Sequence, residues 1–135
     1  MFRKAFEEHG YWQERQGTLI VVEPDGTIVG EVSFFPVHGS GPWWTSYELG
    51  YVLYDPERAG RGYMTEAVQL MVNHLFETKQ IHRIQLTIAV ENLASQAVAK
   101  RCGFTFEGIA RGAFFMHGAP QDVQVWAILS TDERP

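Results

Sequence analysis

Between residues 58 and 63 the chain reads Arg-Ala-Gly-Arg-Gly-Tyr, two glycines one residue apart with an arginine on either side of the first. Gly60 and Gly62 lack side chains, so the backbone can turn tightly there and present successive N–H groups to one point. If a helix starts at once, its unpaired first N–H groups and its dipole add to that point, which becomes a cradle for a diphosphate. Arg58 and Arg61 would stand at the rim as ionic contacts. By itself a Gly-x-Gly is equally a strand-to-helix turn that uses glycine only for its geometry. The Gly-Lys-Ser/Thr ending of a triphosphate loop is absent, and so is a third glycine at dinucleotide-fold spacing.

The elements around this loop follow from hydrophobic spacing. Thr18 to Glu23 and Ile28 to Phe35 read as a hairpin, with Pro24, Asp25 and Gly26 as its turn. Val37 to Thr45 is a loop carrying His38, Trp43 and Trp44, and Ser46 to Leu53 is the strand before the glycines. Met64, Ala67, Val68, Met71, Val72, Leu75 and Phe76 recur at three and four, one buried face of a helix that starts where the cradle needs it. Ile84 to Val90 alternates as a strand, and Asn92 caps a short helix to about Cys102, with Gly103 in the left-handed position beyond its end. Phe104 to Phe115 and Gln121 to Leu129 are two strands joined through Gly118 and Pro120, and Thr131 to Pro135 reads as a frayed tail. Strand, loop, helix, strand, helix, strand implies crossovers and at least one parallel pair, so the fold class is α/β with a mixed sheet.

At 135 residues and 45% hydrophobic content the chain supports one core, so residues 1–135 are expected to form a single domain. The longest apolar stretches, Leu19 to Val22 and Val125 to Leu129, are strand-sized, and the first residues show no export signal, so a cytoplasmic, non-membrane protein is expected. A net charge of -5 argues against nucleic acid and mildly favours a cationic or amine ligand. Cys102, the single cysteine, has no disulfide partner and reads as a packing residue beside Gly103. With five scattered histidines and one cysteine, no metal is expected.

Three ordered stretches carry a resemblance. Arg58 to Ala67, Arg-Ala-Gly-Arg-Gly-Tyr-Met-Thr-Glu-Ala, resembles the acetyl-CoA pyrophosphate loop of the GNAT N-acetyltransferase superfamily, and most of all its ribosomal-protein N-terminal acetyltransferase branch. Glu91 to Ser95 followed by Lys100 to Phe104, and Tyr47 to Tyr51 upstream, are similar to the family's flanking segments. The resemblance implies an acetyl-CoA cosubstrate held by Arg58, Ala59, Gly60, Arg61, Gly62, Tyr63 and Met64. It also implies that the backbone of Tyr51, Val52 and Leu53 holds the pantetheine arm and donates to the thioester carbonyl, with Asn92 as a further pantetheine ligand. Two departures are visible. Glu57 stands where the family often has Gln or Arg, and the start of the chain offers one helix, Phe2 to about Glu14, with no opening strand before the hairpin. The acceptor pocket would then be more open, or completed by a second copy of the chain in a homodimer.

The implied reaction transfers an acetyl group to a primary amine, on a protein N-terminus or a small molecule. Glu48, opposite in face to Leu49, is the candidate base, against a reading as a wet edge-strand carboxylate. The resemblance makes Ser95 the donor to the leaving thiolate; Asn92 and Ser95 also fit simple helix capping. Tyr51 and Tyr54 are alternative acids or packing residues, His38, Trp43 and Trp44 candidates for the acceptor wall, and Asp122 a partner for Arg111. The competing class is a non-catalytic acyl-CoA sensor on the same fold.

Overall fold

The structure, a computed structural model, describes residues 2–4, 16–37 and 46–135. His38, Trp43 and Trp44, named above for the acceptor wall, lie outside the described residues. Among the described residues seven strands form one mixed sheet: β1 (Phe2–Lys4), β2 (Gly17–Val22), β3 (Ile28–Val37), β4 (Ser46–Leu53), β5 (Arg83–Ala89), β6 (Thr105–Met116) and β7 (Ala119–Leu129), in the order β1-β2-β3-β4-β5-β7-β6. Helices α1 (Tyr63–Thr78) and α2 (Leu93–Arg101) follow β4 and β5. Among the described residues no helix is long and apolar enough to cross a membrane.

The first hairpin closes as its turn chemistry demands. Gly26 takes φ 93°, and Asp25 Oδ1 accepts the Thr27 N–H at 2.9 Å. Alternation then sorts β2 to β5, with Leu19, Val21, Val32, Phe34, Tyr47, Leu49, Ile84, Leu86 and Ile88 buried on one face. The Phe34 and Tyr47 rings stack there with centroids 5.5 Å apart. Helix α1 covers that face with Ala67, Val68, Met71, Val72 and Leu75, all buried, while Met64 and Phe76 pack at its margin. The seven positions named from their spacing are thus one helix face. Cys102 is buried against α1, its Sγ 3.5 Å from the Thr65 carbonyl, and burial pushes its thiol up to about 11, which suits packing and disfavours a thiolate.

Three expectations are corrected. Phe2–Lys4 is a strand and not the start of a helix: it pairs antiparallel with β2, Phe2 opposite Val21, so the sheet does have an opening strand. The reason is non-local, since β2 would otherwise present a row of unpaired N–H and C=O groups on its outer side. At the other end, Pro120 belongs to β7 and not to the turn, which is His117 and Gly118. β7 pairs with β5 only from Val123 onward, so Pro120 has a neighbour on one side alone and its missing N–H breaks no ladder there. The tail is not frayed either: Asp132 Oδ2 accepts the Leu129 N–H at 2.9 Å, and the Arg134 guanidinium lies 5.0 Å from the centre of the Phe76 ring.

One glycine is fixed by crowding. A Cβ on Gly30, which pairs with Leu53, would collide with the Val52 carbonyl oxygen and crowd the Met64 methyl at 3.3 Å. Gly30→Ala is therefore expected to cost about 1–3 kcal/mol by forcing β4 away from β3. Denaturant unfolding checks this, and an unchanged midpoint would contradict the close approach.

Candidate functional site

The glycine loop sits between β4 and α1, where the sequence predicts it. Asp55 caps a single 3-10 turn, Pro56–Arg58, by accepting the Glu57 N–H at 3.0 Å. Gly60 and Gly62 then take φ of 80° and 77°, values that favour glycine, and a Cβ at either would meet nothing within 4 Å. Both glycines are thus required by the backbone path, while the space around them is open. Gly62 is the N-cap of α1 and offers no side chain, and the first intrahelical bond runs from the Glu66 N–H to the Gly62 carbonyl at 3.1 Å. The N–H groups of Tyr63, Met64 and Thr65 therefore have no partner within the helix and stand at its positive end.

A cavity of about 380 Å³ lies against this mouth, lined on one side by residues 58–65 and on the other by Asn92, Ala94, Ser95, Ala97, Val98 and Arg101 of α2 and its cap, with Tyr51 and Leu53 of β4 between. Arg58 is in this wall, but its guanidinium is paired with Glu23 and lies 3.4 Å from Asp55, and Tyr63 donates to Glu23 at 3.0 Å. Its charge is already compensated, so Arg58 holds the loop to β2 and is a weaker rim cation than its position implies. Arg61 and Arg101 are exposed at the cavity and make no ion pair among the described residues. Arg101 was not among the residues singled out above. Its signal is present in the sequence, since Ala94, Ala97, Val98 and Arg101 recur at three and four on one face of α2.

β4 supplies the second half of the site. Its parallel pairing with β5 is only three residues long and ends at Glu48 opposite Gln85, whereas its pairing with β3 continues to Leu53. The strands fork, leaving the β5 side of the later β4 backbone without a ladder, so Tyr51, Val52 and Leu53 lie along the open arm. Val52 is exposed, and the other two line the cavity.

Glu48 stands at the closed end of the fork, on the sheet face away from the helices. It is half-buried on an interior strand, which removes the reading as an edge carboxylate. Its Oε1 accepts from Gln85 Nε2 at 2.8 Å and its Oε2 from Thr87 Oγ1 at 2.9 Å. Asn92 Oδ1 accepts the Ser95 N–H at 3.1 Å, so the cap is real, and the amide NH2 is what Asn92 has left for a ligand. Ser95 Oγ lies 2.6 Å from the Tyr51 hydroxyl, which also reaches the Ser95 carbonyl at 3.3 Å. Burial pushes the Tyr51 phenol up to about 12, so it stays protonated at neutral pH and serves as a donor. Tyr51 is thus joined to Ser95 instead of merely packing. Tyr54 is exposed away from this pair, and Asp122 accepts the Gly112 N–H at 2.8 Å, a bond that serves a bulge in β6 in place of the expected Arg111 pairing. Among the described residues no three His, Cys, Asp or Glu side chains come together as a metal site.

The chain is similar to acetyltransferases of known sequence or structure. The probable N-acetyltransferase YjcK of Bacillus subtilis is 39% identical over 114 residues, covering 84% of this chain and 61% of that protein. The ribosomal-protein-serine acetyltransferase of Escherichia coli is 28% identical over 115 residues, 85% of this chain and 62% of that one. The structure of Mycobacterium smegmatis RimJ in complex with CoA-disulfide superposes with a TM-score of 0.75 at 32% identity, covering 93% of this chain and 56% of RimJ. The chain therefore spans about three fifths of the length of the proteins it resembles. The acetyltransferase (GNAT) domain matches residues 1–105, so the chain belongs to the GNAT acetyltransferase family.

Proposed function

We propose that the protein is an N-acetyltransferase that moves the acetyl group of acetyl-CoA to a primary amine, on a protein N-terminus or a small molecule. The observation that carries this reading is the placement of an open helix mouth and glycine loop beside a strand fork whose closed end holds a carboxylate. Tyr63, Met64 and Thr65 N–H groups, with Gly60, Gly62 and Arg61, bind the diphosphate, and the β4 backbone from Tyr51 to Leu53 with Asn92 binds the pantetheine arm. Acetyl-CoA supplies an activated acyl group on a thiol of pKa near 8.5, a fair leaving group.

The protein's own residues manage the protons. Glu48 accepts a proton from the amine, directly or through a water, as the C–N bond forms, and backbone N–H groups of β4 stabilise the charge on the carbonyl oxygen. As the C–S bond breaks, Ser95 Oγ donates toward sulfur. A phenol is a better donor than an alcohol, so the Tyr51 hydroxyl donates to Ser95 Oγ across 2.6 Å and leaves the serine proton free for this. Because the thiol leaves well unaided, Ser95 contributes less than Glu48.

A sheet without an opening strand would favour a sensor that lacks an acceptor pocket, and β1 supplies that strand. Mixing the protein with acetyl-CoA and a panel of amines tests the proposal by thiol release. Release with peptide N-termini or small amines is expected, whereas tight acetyl-CoA binding without release for any amine would reassign the chain as a binding module.

A further inference from the structure

On the sheet face away from the helices, a line of side chains runs from β6 to β4. Glu107 on β6 accepts two bonds from Arg83 of β5, at 2.8 and 2.7 Å. Arg83 Nη2 also donates to Gln85 Oε1 at 3.1 Å, and Gln85 Nε2 donates in turn to Glu48 Oε1 at 2.8 Å. The line has a direction. A guanidinium has only donors, so it claims the oxygen of the Gln85 amide and turns the nitrogen toward Glu48, whose ionised carboxylate only accepts. Gln85 is 7% exposed, so its amide has little water to exchange these bonds for. The Arg83 fork holds the Glu107 carboxyl below the usual carboxylate range, which keeps the anchor charged.

We infer that Arg83 and Gln85 are positioning residues for the base: Gln85 holds the Glu48 carboxylate at the closed end of the fork, and Arg83, anchored by Glu107, orients the Gln85 amide. This rests on Glu48 being the base. Among the described residues, the charged groups facing Glu48 on this side are Arg83 and Glu107. β7 presents Val123, Val125 and Ala127, and Glu31 of β3 stands further off, in register with Val52. A carboxylate at position 85 would therefore meet Glu48 with one arginine to compensate both.

The test measures kcat against pH and acetyl-CoA affinity for Gln85→Glu, Arg83→Gln and Arg83→Lys. In Gln85→Glu two carboxylates share one site and one proton, so the acid limb of the profile is expected to rise by about one unit or more, with kcat on that limb down about tenfold. Arg83→Gln, which never touches Glu48, is expected to lower kcat severalfold at unchanged acetyl-CoA affinity, and Arg83→Lys to restore much of it. Retained acetyl-CoA binding reports an intact fold. An unmoved acid limb in Gln85→Glu, with acetyl-CoA still bound and activity still dependent on Glu48, overturns the positioning role alone. Should Gln85→Glu not bind acetyl-CoA, an unchanged kcat in Arg83→Gln overturns it instead. If Glu48→Gln leaves the rate untouched at every pH, the base assignment fails and takes this inference with it.

Discussion

Replacing Gly60 with aspartate is expected to weaken acetyl-CoA binding about a hundredfold or more while leaving the protein folded. Two effects combine. At φ 80° any side chain strains the backbone by about 1–2 kcal/mol, and the carboxylate then stands where the diphosphate is to bind, replacing attraction at the helix mouth by repulsion. Charge-assisted hydrogen bonds of the kind lost here are worth about 1.5–3 kcal/mol each, and about 1.4 kcal/mol is a tenfold change in affinity. Gly60→Ala separates the two, because the space around Gly60 is open and a methyl meets nothing within 4 Å. Its deficit should be roughly tenfold or less, from strain alone. Calorimetric titration of both variants with acetyl-CoA is the measurement, and full affinity in Gly60→Asp would place the diphosphate elsewhere.

Glu48→Gln carries the next largest effect. The amide cannot take a proton, so kcat near neutral pH is expected to fall about a hundredfold or more, with acetyl-CoA affinity unchanged because the carboxylate lies at the far end of the fork from the glycine loop. The remaining rate should climb with pH as the acceptor amine deprotonates on its own, over a range set by an α-amino group near 8 or a lysine-like amine near 10.4. The profile of the variant thus also reports the class of acceptor. A wild-type rate at every pH would remove Glu48 as base.

The contrast between these two residues shows how legibility was distributed. Gly60 and Gly62 were readable as a tight turn into a helix because everything that defines them is local: absent side chains, an adjoining strand and an apolar period that starts a helix one residue later. The same holds for Asn92 as a cap, Cys102 as a packing residue and the limits of β4. Glu48 was readable as a candidate but not as a held one, because Gln85 and Thr87 reach it from 37 and 39 residues away. Arg58 and Tyr51 mark the limit from the other side. Spacing put Arg58 at the rim, but Glu23, brought alongside by the β2–β3 hairpin, takes its charge, and only packing of α2 against β4 sets the Tyr51 hydroxyl on Ser95, 44 residues later.

Periodicity, turn residues and glycine spacing thus determined by themselves the element order from β2 onward, the mixed sheet and a glycine turn at the head of α1, since each depends on neighbours within a turn or two of chain. The tertiary structure alone decided that β4 and β5 separate after three residue pairs, that Phe2–Lys4 joins the sheet as a strand, and which side chains anchor the carboxylate at the fork. Strand pairing and hydrogen bonds between distant side chains are satisfied by whatever the fold brings alongside, and one residue's immediate sequence holds no record of that partner.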